Sequence, residues 1–475
     1  MLESVFCLPL IIGLIALRLP VKMGRVVLVA GALLQLQLAL LAWLAPLEPL
    51  LPAYFGVAPE GLLVLVVTAF IFVFIAPYSV LYMREQESAN EPVFIGAMML
   101  FVGTMSMAAV AEHPIVFWIA VEATTLVSAP LIFVHRSKKA LEATWKYVLI
   151  CSVGIALALL GFFFITLALE QAGLDVPLTF KSLNRAAAQL DPLWLKTGFV
   201  FVLIGFGTKM GLAPMHTWLP DAHSEAPSPA SALLSGALLN CAFLGIYKVH
   251  TLMVLAGLGG FSGHLLIGFG LLSIVVAGIF IVNQTDYKRM LAYSSIENMG
   301  VIAFGIGVGG IGVYGAMLHL IHHSLLKSSL FLSAGNLVLG FGTKLVERCS
   351  GMVRLLPKTC VAFFAGFVGI SGLPPFGIFL SELLILLGAF RSGHPLAGGL
   401  FIAALVLVVA GFSRAVLSLS FGPVREQVRI KESTWRILPS FGLLLTSLVL
   451  CVWVPEPMYR MIEGAIAAIG GTIHG

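Results

Sequence analysis

Charge is scarce in this sequence. Only 10% of its 475 residues are Asp, Glu, Lys or Arg, whereas 59% are hydrophobic and the mean hydropathy is +1.04. Soluble globular domains carry about 25% charged residues, so this composition excludes a soluble globular protein. No long polar linker or low-complexity tract separates the apolar runs. We therefore predict an all-α polytopic membrane protein that lies in a lipid bilayer.

The sequence also lacks the residues that bind cofactors or carry covalent catalysis. Its six cysteines are scattered without a Cys-x-x-Cys pair, which provides neither a zinc site nor ligands for an iron–sulfur cluster. No phosphate-binding loop, nucleophile elbow or catalytic triad is present. The net charge of +5 comes from short loops between apolar runs, so nucleic acid is not an expected partner. We expect no metal or cofactor in this chain, and any redox centre would lie in a partner.

What the sequence does contain is a series of apolar runs long enough to cross a bilayer as helices. Windows of about 20 residues give roughly fourteen spans. Their approximate limits are 3–19, 26–46, 60–81, 93–111, 114–134, 144–169, 195–213, 229–253, 263–284, 290–308, 311–340, 359–388, 397–420 and 437–455. The first run has no small-residue cleavage site, so we expect it to be a retained span.

Lysine and arginine are concentrated on one side of the predicted spans. The loops after the first, fifth, ninth, eleventh and thirteenth spans are basic, whereas the opposite loops carry Glu48, Glu60 and Glu112 or almost no charge. Basic loops remain in the cytoplasm, so both termini are predicted on the periplasmic side of the cell inner membrane. The longest outer segment, residues 169–196, is expected to hold a surface helix or loop.

The run of residues 208–229 combines two features that are costly in lipid. Lys209 ends an apolar run, and Pro214 and Pro220 interrupt the helix. A cation near the bilayer centre costs about 2.5–3.5 kcal/mol, so such a lysine faces the bundle interior or a water path. The twelfth span repeats this pattern in SGLPPFGIFLSE, where two prolines precede Glu382. Two broken, ionisable spans are typical of transporters built from repeats.

Glu122 lies near the middle of the fifth span and is the natural partner of Lys209. A carboxylate beside a buried lysine favours its charged form. Opening and closing of such a pair would therefore load or release a proton. The alternative is a carboxylate that is satisfied by the hydroxyl groups of Thr124 or Thr125.

Four further ionisable residues follow in the broken seventh span: His216, Asp221, His223 and Glu225. Their spacing superficially resembles a metal-ligand set, but Pro220 and Pro227 break any common helical face. Histidine titrates near neutral pH, so we predict that this segment admits protons. A loop held together by hydrogen bonds is the alternative interpretation.

The eleventh span carries titratable residues on one helical face. His319, His323 and Lys327 recur at i, i+4 and i+8, while His322 faces elsewhere. A titratable stripe through an apolar helix is hard to explain as core packing. Together with the ionisable residues of the fifth, seventh and twelfth spans, it predicts a lateral proton path.

These segments resemble a known family. KMGLAPMHTWLPDAHSEAPSPASALLSG, DYKRMLAYSSIENMG, the His-x-x-x-Lys pattern of the eleventh span and GLPPFGIFLSE are similar to the antiporter-like proton-pumping subunits of respiratory complex I. That superfamily includes Mrp-type cation/proton antiporters and the membrane arms of energy-converting hydrogenases. SSIENMG, which contains Glu297 as a possible relay residue, and HHSLLKSSLFLSAGN resemble the hydrogenase-4 component F group.

The resemblance implies about fourteen transmembrane helices, two inverted five-helix repeats and discontinuous seventh and twelfth helices. The corresponding segments are 1–92 (N-terminal spans), 93–253 and 254–420 (the repeats), and 421–475 (a C-terminal span and tail). The implied proton-transferring residues are Glu122, Lys209, His323, Lys327 and Glu382. Iron–sulfur clusters and nickel–iron or flavin centres would lie in partner subunits, namely a soluble redox arm that accompanies other membrane subunits.

Asn240 departs from the family pattern, because several members place a lysine or histidine there. Asparagine orients water but cannot carry a proton, so the link between the half-channels would fall on water, on Lys248 if it reaches inward, or on the eleventh-span histidines. The expected function is proton translocation in a membrane-bound redox complex. The alternatives are an Mrp-type cation/proton antiporter subunit, a membrane subunit of a carbon-dioxide-hydrating or inorganic-carbon uptake complex, and a scaffold with an inactive channel.

Overall fold

The structure is a computed structural model that describes residues 1–45, 47–86, 90–425, 427–428 and 430–469. In these residues the regular structure is helical, apart from two isolated β-bridges. Twelve helices within the described ranges are long and apolar enough to cross a membrane, and Ser4–Ala16 and Pro357–Ile370 are shorter apolar helices. The predicted all-α, multi-pass fold is confirmed.

The first six spans are continuous helices: α1 (Ser4–Ala16), α2 (Val21–Leu44), α3 (Pro59–Gln86), α4 (Glu91–Val110), α5 (Pro114–Ile132) and α6 (Lys138–Gln171). The long segment after α6 contains a short helix, α7 (Phe180–Ala186), as the sequence predicted for a surface helix or loop. Thr179 caps α7, since its hydroxyl oxygen accepts a hydrogen bond of 3.1 Å from the Ser182 N–H.

The seventh span is divided into α8 (Pro192–Met210) and α9 (Trp218–Glu225). The next helices are α10 (Ser228–Leu255), α11 (Gly259–Val282), α12 (Tyr287–Val308), α13 (Ile311–Phe341) and the single turn α14 (Met352–Leu355). The twelfth span is again divided, into α15 (Pro357–Ile370) and α16 (Gly377–Arg391). The remaining helices are α17 (Pro395–Phe421), α18 (Thr434–Val452) and α19 (Glu456–Ala468).

Both breaks have the same local sequence chemistry. Gly211 follows α8 with φ of +85°, and Gly372 follows α15 with φ of +64°. Glycine adopts this left-handed conformation without steric cost. A proline three residues later, Pro214 or Pro375, cannot continue a helix. The predicted discontinuous spans are therefore present, and the first is broken at Pro214. Pro220, the second predicted interruption, instead lies in the first turn of α9.

Neighbouring side chains satisfy backbone groups at the first break. The Ala213 N–H donates to the Ser273 hydroxyl at 2.9 Å, and the Trp218 indole donates to the Thr208 carbonyl at 2.8 Å. Irregular backbone at membrane depth is tolerated only where such partners are present. The break is thus held by α11 and by the residues that flank it.

α10 contains a π turn at Leu234–Leu238 that the sequence did not predict. A Cβ at Gly236 would meet the Ser328 hydroxyl at 2.5 Å and Ile71 at 2.9 Å, so α10 approaches α13 and α3 closely here. A π turn inserts one extra residue into a helical turn and is frequent at functional sites. Asn240 follows this turn immediately.

Polar side chains are concentrated at the centre of the bundle. α10, α12 and α13 are almost completely buried, whereas α2, α6, α17 and α18 expose apolar side chains at the perimeter. We call the side of the basic loops the inner side and the opposite side the outer side. The division into repeats at 93–253 and 254–420 stays a prediction, and residues 426, 429 and 470–475 of the predicted C-terminal segment lie outside the described residues.

Candidate functional site

Lys209 lies in the last turn of α8, and its side chain is completely buried. Its Nζ donates hydrogen bonds to the Thr125 hydroxyl and, at 3.0 Å, to the Tyr147 hydroxyl. The Tyr147 hydroxyl shares another hydrogen bond, of 2.6 Å, with Ser128. Because an ammonium has three protons to donate, these hydroxyl groups on α5 and α6 offset much of the cost of burying Lys209.

Glu122 does not form the predicted direct ion pair with Lys209. One carboxylate oxygen accepts from the Ser152 hydroxyl at 2.6 Å, and the other accepts from the Thr125 hydroxyl at 3.4 Å. Glu122 lies three residues, or about one helical turn, before Thr125 on α5. Glu122 is partly exposed, whereas Thr125, which contacts Lys209, is buried. Thr125 therefore links the two groups, because it donates to Glu122 and accepts from Lys209.

The Thr124 hydroxyl has a different orientation. It donates to the Val121 carbonyl of its own helix at 2.6 Å. Of the two hydroxyl groups that the sequence offered to Glu122, only that of Thr125 reaches the carboxylate.

Asn240 lies at the centre of the bundle between α10 and α13. Its Nδ2 donates to the Ser324 hydroxyl at 2.8 Å and to the Gly236 carbonyl at 3.0 Å. Its Oδ1 and both ring nitrogens of His323 are buried without a hydrogen-bond partner among the described residues. Buried polar atoms are nearly always hydrogen-bonded, so these atoms are unusual, and we call Asn240, His323 and Ser324 the central region.

A connected series of polar groups begins on the other side of this region. Lys327, which is completely buried, donates to the Ser294 hydroxyl at 2.6 Å and to the Leu291 carbonyl at 2.7 Å. Asn298 donates to the Ser294 carbonyl at 2.7 Å and to the Glu297 carboxylate. Glu297, a possible relay residue in the sequence, is thus placed beside this series rather than in contact with Lys327.

His319 continues the series towards α16. Its Nε2 lies 3.0 Å from Asn298 Oδ1, and its Nδ1 lies 3.0 Å from the Ser381 hydroxyl. The amide nitrogen of Asn298 donates to Glu297, so the amide oxygen faces the His319 ring. Because that oxygen can only accept, Nε2 is the ring nitrogen that carries the proton. The predicted stripe of α13 is therefore only partly connected, since His319 and Lys327 join the series and His323 does not.

Glu382 follows Ser381 in the chain and lies at the margin of the bundle. Its side chain is partly exposed and borders a mainly apolar cavity of about 510 Å³ between α16 and α17. A Cβ at Gly372 would collide with its carboxylate. The break in the twelfth span thus leaves room for this carboxylate at the lateral end of the series.

The predicted inner mouth is a cavity of about 750 Å³ on the inner side, with Asp221 and Glu225 in its wall. Asp221 accepts from Lys146 at 3.1 Å and from Arg289 at 2.5 Å, and Glu225 accepts from Lys344 at 2.9 Å. The negative charges of these carboxylates are therefore neutralised by basic side chains of neighbouring segments, and the carboxylates do not converge on a common ligand position.

The two histidines of the same segment lie apart from these carboxylates. The His223 ring is buried and stacks on Phe331 with centroids 4.9 Å apart, whereas His216 lies beside Phe280 and Tyr293. Among the residues that the structure describes, no group of three or more His, Cys, Asp or Glu could hold a metal ion. The geometry gives no support to the metal-site alternative.

Lys248 points away from Asn240, so it does not provide the inward link that the sequence left open. Its Nζ lies 3.2 Å from a carboxylate oxygen of Glu60 and 4.8 Å from the Phe180 ring centroid. It is eight residues from Asn240 along α10, about 12 Å for an α-helix.

Sequence reasoning missed the hydroxyl and amide groups that join the ionisable residues: Thr125 in its linking role, Tyr147, Ser152, Ser294, Asn298 and Ser381. One signal was available for some of them. Thr125 is one turn from Glu122, and Ser381 is next to Glu382. A hydroxyl beside an intramembrane charge is a natural partner.

Residues 111–407, more than half of the chain, match the family described as "NADH:quinone oxidoreductase/Mrp antiporter, TM". The chain belongs to this family of antiporter-like membrane subunits, so the resemblance found in the sequence is confirmed.

Among curated proteins, the chain is similar to a hydrogenase-4 component F homolog of Methylacidiphilum infernorum. The two are 36% identical over 363 residues, which cover 76% of this chain and 75% of that protein.

Two solved structures share the fold. One belongs to the membrane-bound sulfane sulfur reductase, an archaeal respiratory membrane complex, with a TM-score of 0.88, 22% identity and coverage of 98% of this chain and 97% of that chain. The other belongs to respiratory complex I of Thermus thermophilus, with a TM-score of 0.82, 24% identity and coverage of 99% and 100%. Both likenesses show that the fold extends over nearly the whole chain.

Proposed function

We propose that this chain translocates protons as an antiporter-like subunit of a membrane-bound redox complex of the hydrogenase or NADH-dehydrogenase-like type. The observation that carries the proposal is a series of buried polar groups through the bundle. Two completely buried lysines, Lys209 and Lys327, each donate to hydroxyl groups, and Asn240 and His323 hold buried atoms that have no partner among the described residues.

The first half of the path would work through Thr125. A proton on Lys209 is held by two hydroxyl groups, and each hydrogen bond to a charged group is worth about 1.5–3 kcal/mol. Moving one proton across 100 mV costs about 2.3 kcal/mol. A change at Glu122 that reorients the Thr125 hydroxyl therefore alters the free energy of the proton on Lys209. The change is comparable with the free energy of moving one proton across the membrane potential.

The second half of the path would run from Lys327 to Glu382 through His319. Asparagine cannot carry a proton, so Asn298 acts as the residue that orients the His319 ring. For transfer in this direction, the ring with its proton on Nδ1 would release that proton towards Ser381 and take up another at Nε2, which faces the Lys327 side. Protonation of Glu382 at the lateral margin would complete the transfer.

Electron transfer belongs to partners in this proposal. None of the six cysteines of the chain lies in the series of polar groups. Iron–sulfur clusters with a nickel–iron or flavin centre would reside in a soluble redox arm. Conformational changes at a neighbouring membrane subunit would reach this chain at Glu122, which is partly exposed on α5.

An inner-membrane location with both termini on the periplasmic side is also part of the proposal. The basic loops on the inner side support it. A reporter fused to the C-terminus tests it: an alkaline phosphatase fusion is expected to be active and a green-fluorescent fusion dark. The reverse pattern would contradict the orientation.

An Mrp-type cation/proton antiporter subunit is the second candidate, because the matched family includes such antiporters. The two functions differ in the ion that is required. A redox-coupled proton subunit is expected to acidify proteoliposomes at the same rate with or without sodium, whereas an antiporter subunit requires the counter-cation.

Glu122→Gln tests the proposed proton path in the complex isolated with its partner subunits. We expect the complex to assemble and proton translocation to fall by about 100-fold, as for loss of a positioned proton-transfer group. Glu170→Gln, which alters an exposed carboxylate at the end of α6, is the matched control and is expected to match the unaltered complex. Full translocation by assembled Glu122→Gln complex would contradict the proposal.

A further inference from the structure

A second buried ion pair lies outside the path described above. Glu60 in the first turn of α3 and Lys248 in α10 are joined at 3.2 Å, and their side chains are 9% and 4% exposed. The Phe180 ring of α7 covers the ammonium at 4.8 Å. Glu60 precedes residues 111–407, so this pair is not contained in the segment that matches the family.

The pair borders a cavity of about 410 Å³ on the outer side. The loop between α2 and α3, the end of α10, α7 and the end of α19 form its walls. Its other charged groups are Glu112 and Lys181, and the Glu112 carboxylate accepts from the Lys181 backbone N–H at 2.7 Å. A buried ion pair thus lies in the wall of an outer cavity.

Two unpartnered polar atoms lie inward of the pair, one on each of its helices. Thr68 of α3 and Asn240 of α10 are buried, and the Thr68 hydroxyl and Asn240 Oδ1 have no partner among the described residues. α3 and α10 run antiparallel, because the earlier residue of α3, Glu60, pairs with the later residue of α10, Lys248. Further along α3, Ile71 contacts the earlier residue Gly236 of α10. Thr68 and Asn240 are each eight residues inward of the pair, or about 12 Å.

We propose that the Glu60–Lys248 pair is the outer proton-release site of this chain. This inference rests on the proposed function and extends it beyond the lateral path. A hydronium ion that reaches the pair along the α3–α10 interface breaks one of its O–H bonds, and the released proton forms an O–H bond with the Glu60 carboxylate and frees Lys248 from the pair. The O–H bond then breaks to water in the outer cavity, and the ion pair forms again. No electron changes hands, and each cycle moves one proton outward.

A purely structural pair would instead clamp α3 to α10. Other contacts already hold these helices near the outer side, because Tyr247 donates to the Ala465 carbonyl of α19 and Gly464 packs on Pro59. A clamp needs only a hydrogen-bonded pair, whereas a release site needs a carboxyl group. This difference separates the two roles experimentally.

The test compares variants of the whole complex in proteoliposomes, with proton movement followed by a pH-sensitive dye. Glu60→Gln is expected to lower translocation by about 100-fold, and Glu60→Asp to retain part of it. The double variant Glu60→Gln/Lys248→Gln keeps a neutral hydrogen-bonded pair, so a clamp would be restored, but release is expected to remain blocked. Glu456→Gln, in an exposed outer-side pair with Arg460, is the control and is expected to show unchanged translocation.

Full translocation by either Glu60→Gln or the double variant would overturn the proposal. If the complex with Glu60→Gln fails to assemble, translocation by the double variant alone tests whether Glu60 releases the proton. Lys209→Met in the same assay separates this proposal from the proposed function. If Lys209→Met is inactive while Glu60→Gln is fully active, only the release site is wrong, whereas full activity of Lys209→Met contradicts the proton path itself.

Discussion

Lys209 and Lys327 share an arrangement that distinguishes them from Lys248. Each is completely buried and donates to hydroxyl groups of neighbouring helices, whereas Lys248 pairs directly with Glu60. A direct ion pair would hold a proton on the lysine, and a neutral hydroxyl does so less strongly. The hydroxyl-bound lysines are therefore better suited to give up a proton in each cycle.

Thr125 is the residue on which the first half of the path depends, because its hydroxyl contacts both Glu122 and Lys209. Thr125→Val preserves the side-chain shape and removes the link. The loss of a hydrogen bond to a charged group is worth about 1.5–3 kcal/mol, so we expect proton translocation to slow by about 10- to 100-fold. Rates in proteoliposomes measure this effect.

Thr124→Val is the matched control for this variant. Thr124 is equally buried on the same helix, but its hydroxyl bonds only to its own helix. We expect translocation close to that of the unaltered complex. Equal losses in the two variants would show that the hydroxyl link has no special role.

His319 and His322 provide a similar comparison on α13. His319 joins Asn298 to Ser381, whereas His322 bonds to Ser447 of α18 at 3.0 Å, away from the path. We expect His319→Gln to lower translocation by about 100-fold and His322→Gln to leave it nearly unchanged. A larger effect at His322 would place the second half-channel on the other face of α13.

The sequence located the buried charges but not the groups between them. Charges in apolar runs are conspicuous because lipid makes them costly, which is why Lys209, Lys327 and Glu382 could be singled out. Hydroxyl residues are common in membrane helices and carry no such cost. Only the packing of α5 on α6 and α8 shows that Thr125, rather than Thr124, bridges Glu122 to the lysine.

At the scale of elements, the broken helices were predictable and the π turn was not. Prolines that follow a glycine signal an interruption directly. The π turn in α10 instead coincides with the close approach of Gly236 to α13, which is a feature of the tertiary packing. It sets the position of Asn240, so the centre of the path could not be derived from the helical pattern alone.

The break before α16 gives a prediction at this scale. Gly372 and Gly393 flank α16, and both have positive φ, +64° and +79°. Alanine at either position costs about 1–3 kcal/mol of backbone strain, so similar losses of thermal stability are expected. A Cβ at Gly372 also displaces the Glu382 carboxylate, whereas nothing lies within 4 Å of Gly393.

Translocation by the two alanine variants therefore separates strain from the position of the carboxylate. Gly372→Ala is expected to lower the translocation rate in the assembled complex, and Gly393→Ala to leave it close to normal. Equal rates at equal stability would mean that Glu382 does not have to occupy its observed position.

For the whole molecule, hydropathy predicted the number and order of spans because the bilayer requires long apolar helices. It did not show α19, an amphipathic helix that packs on α3 at the outer side. The positions of Glu122 and Glu382 at the sides of the bundle also could not be read from hydropathy and are seen only in the structure. Glu122 and Glu382 are both partly exposed, on α5 and α16, so the proposed path would have both of its ends where membrane partners can contact it.

The most direct measurement of the central claim is proton translocation by the reconstituted complex that carries Lys209→Met. Methionine fills a similar volume without a proton-binding group, and the cost of burying the ammonium is removed. The account predicts a fully assembled complex whose translocation falls by about 100-fold or more. An assembled Lys209→Met complex that translocates protons at the unaltered rate would contradict the account.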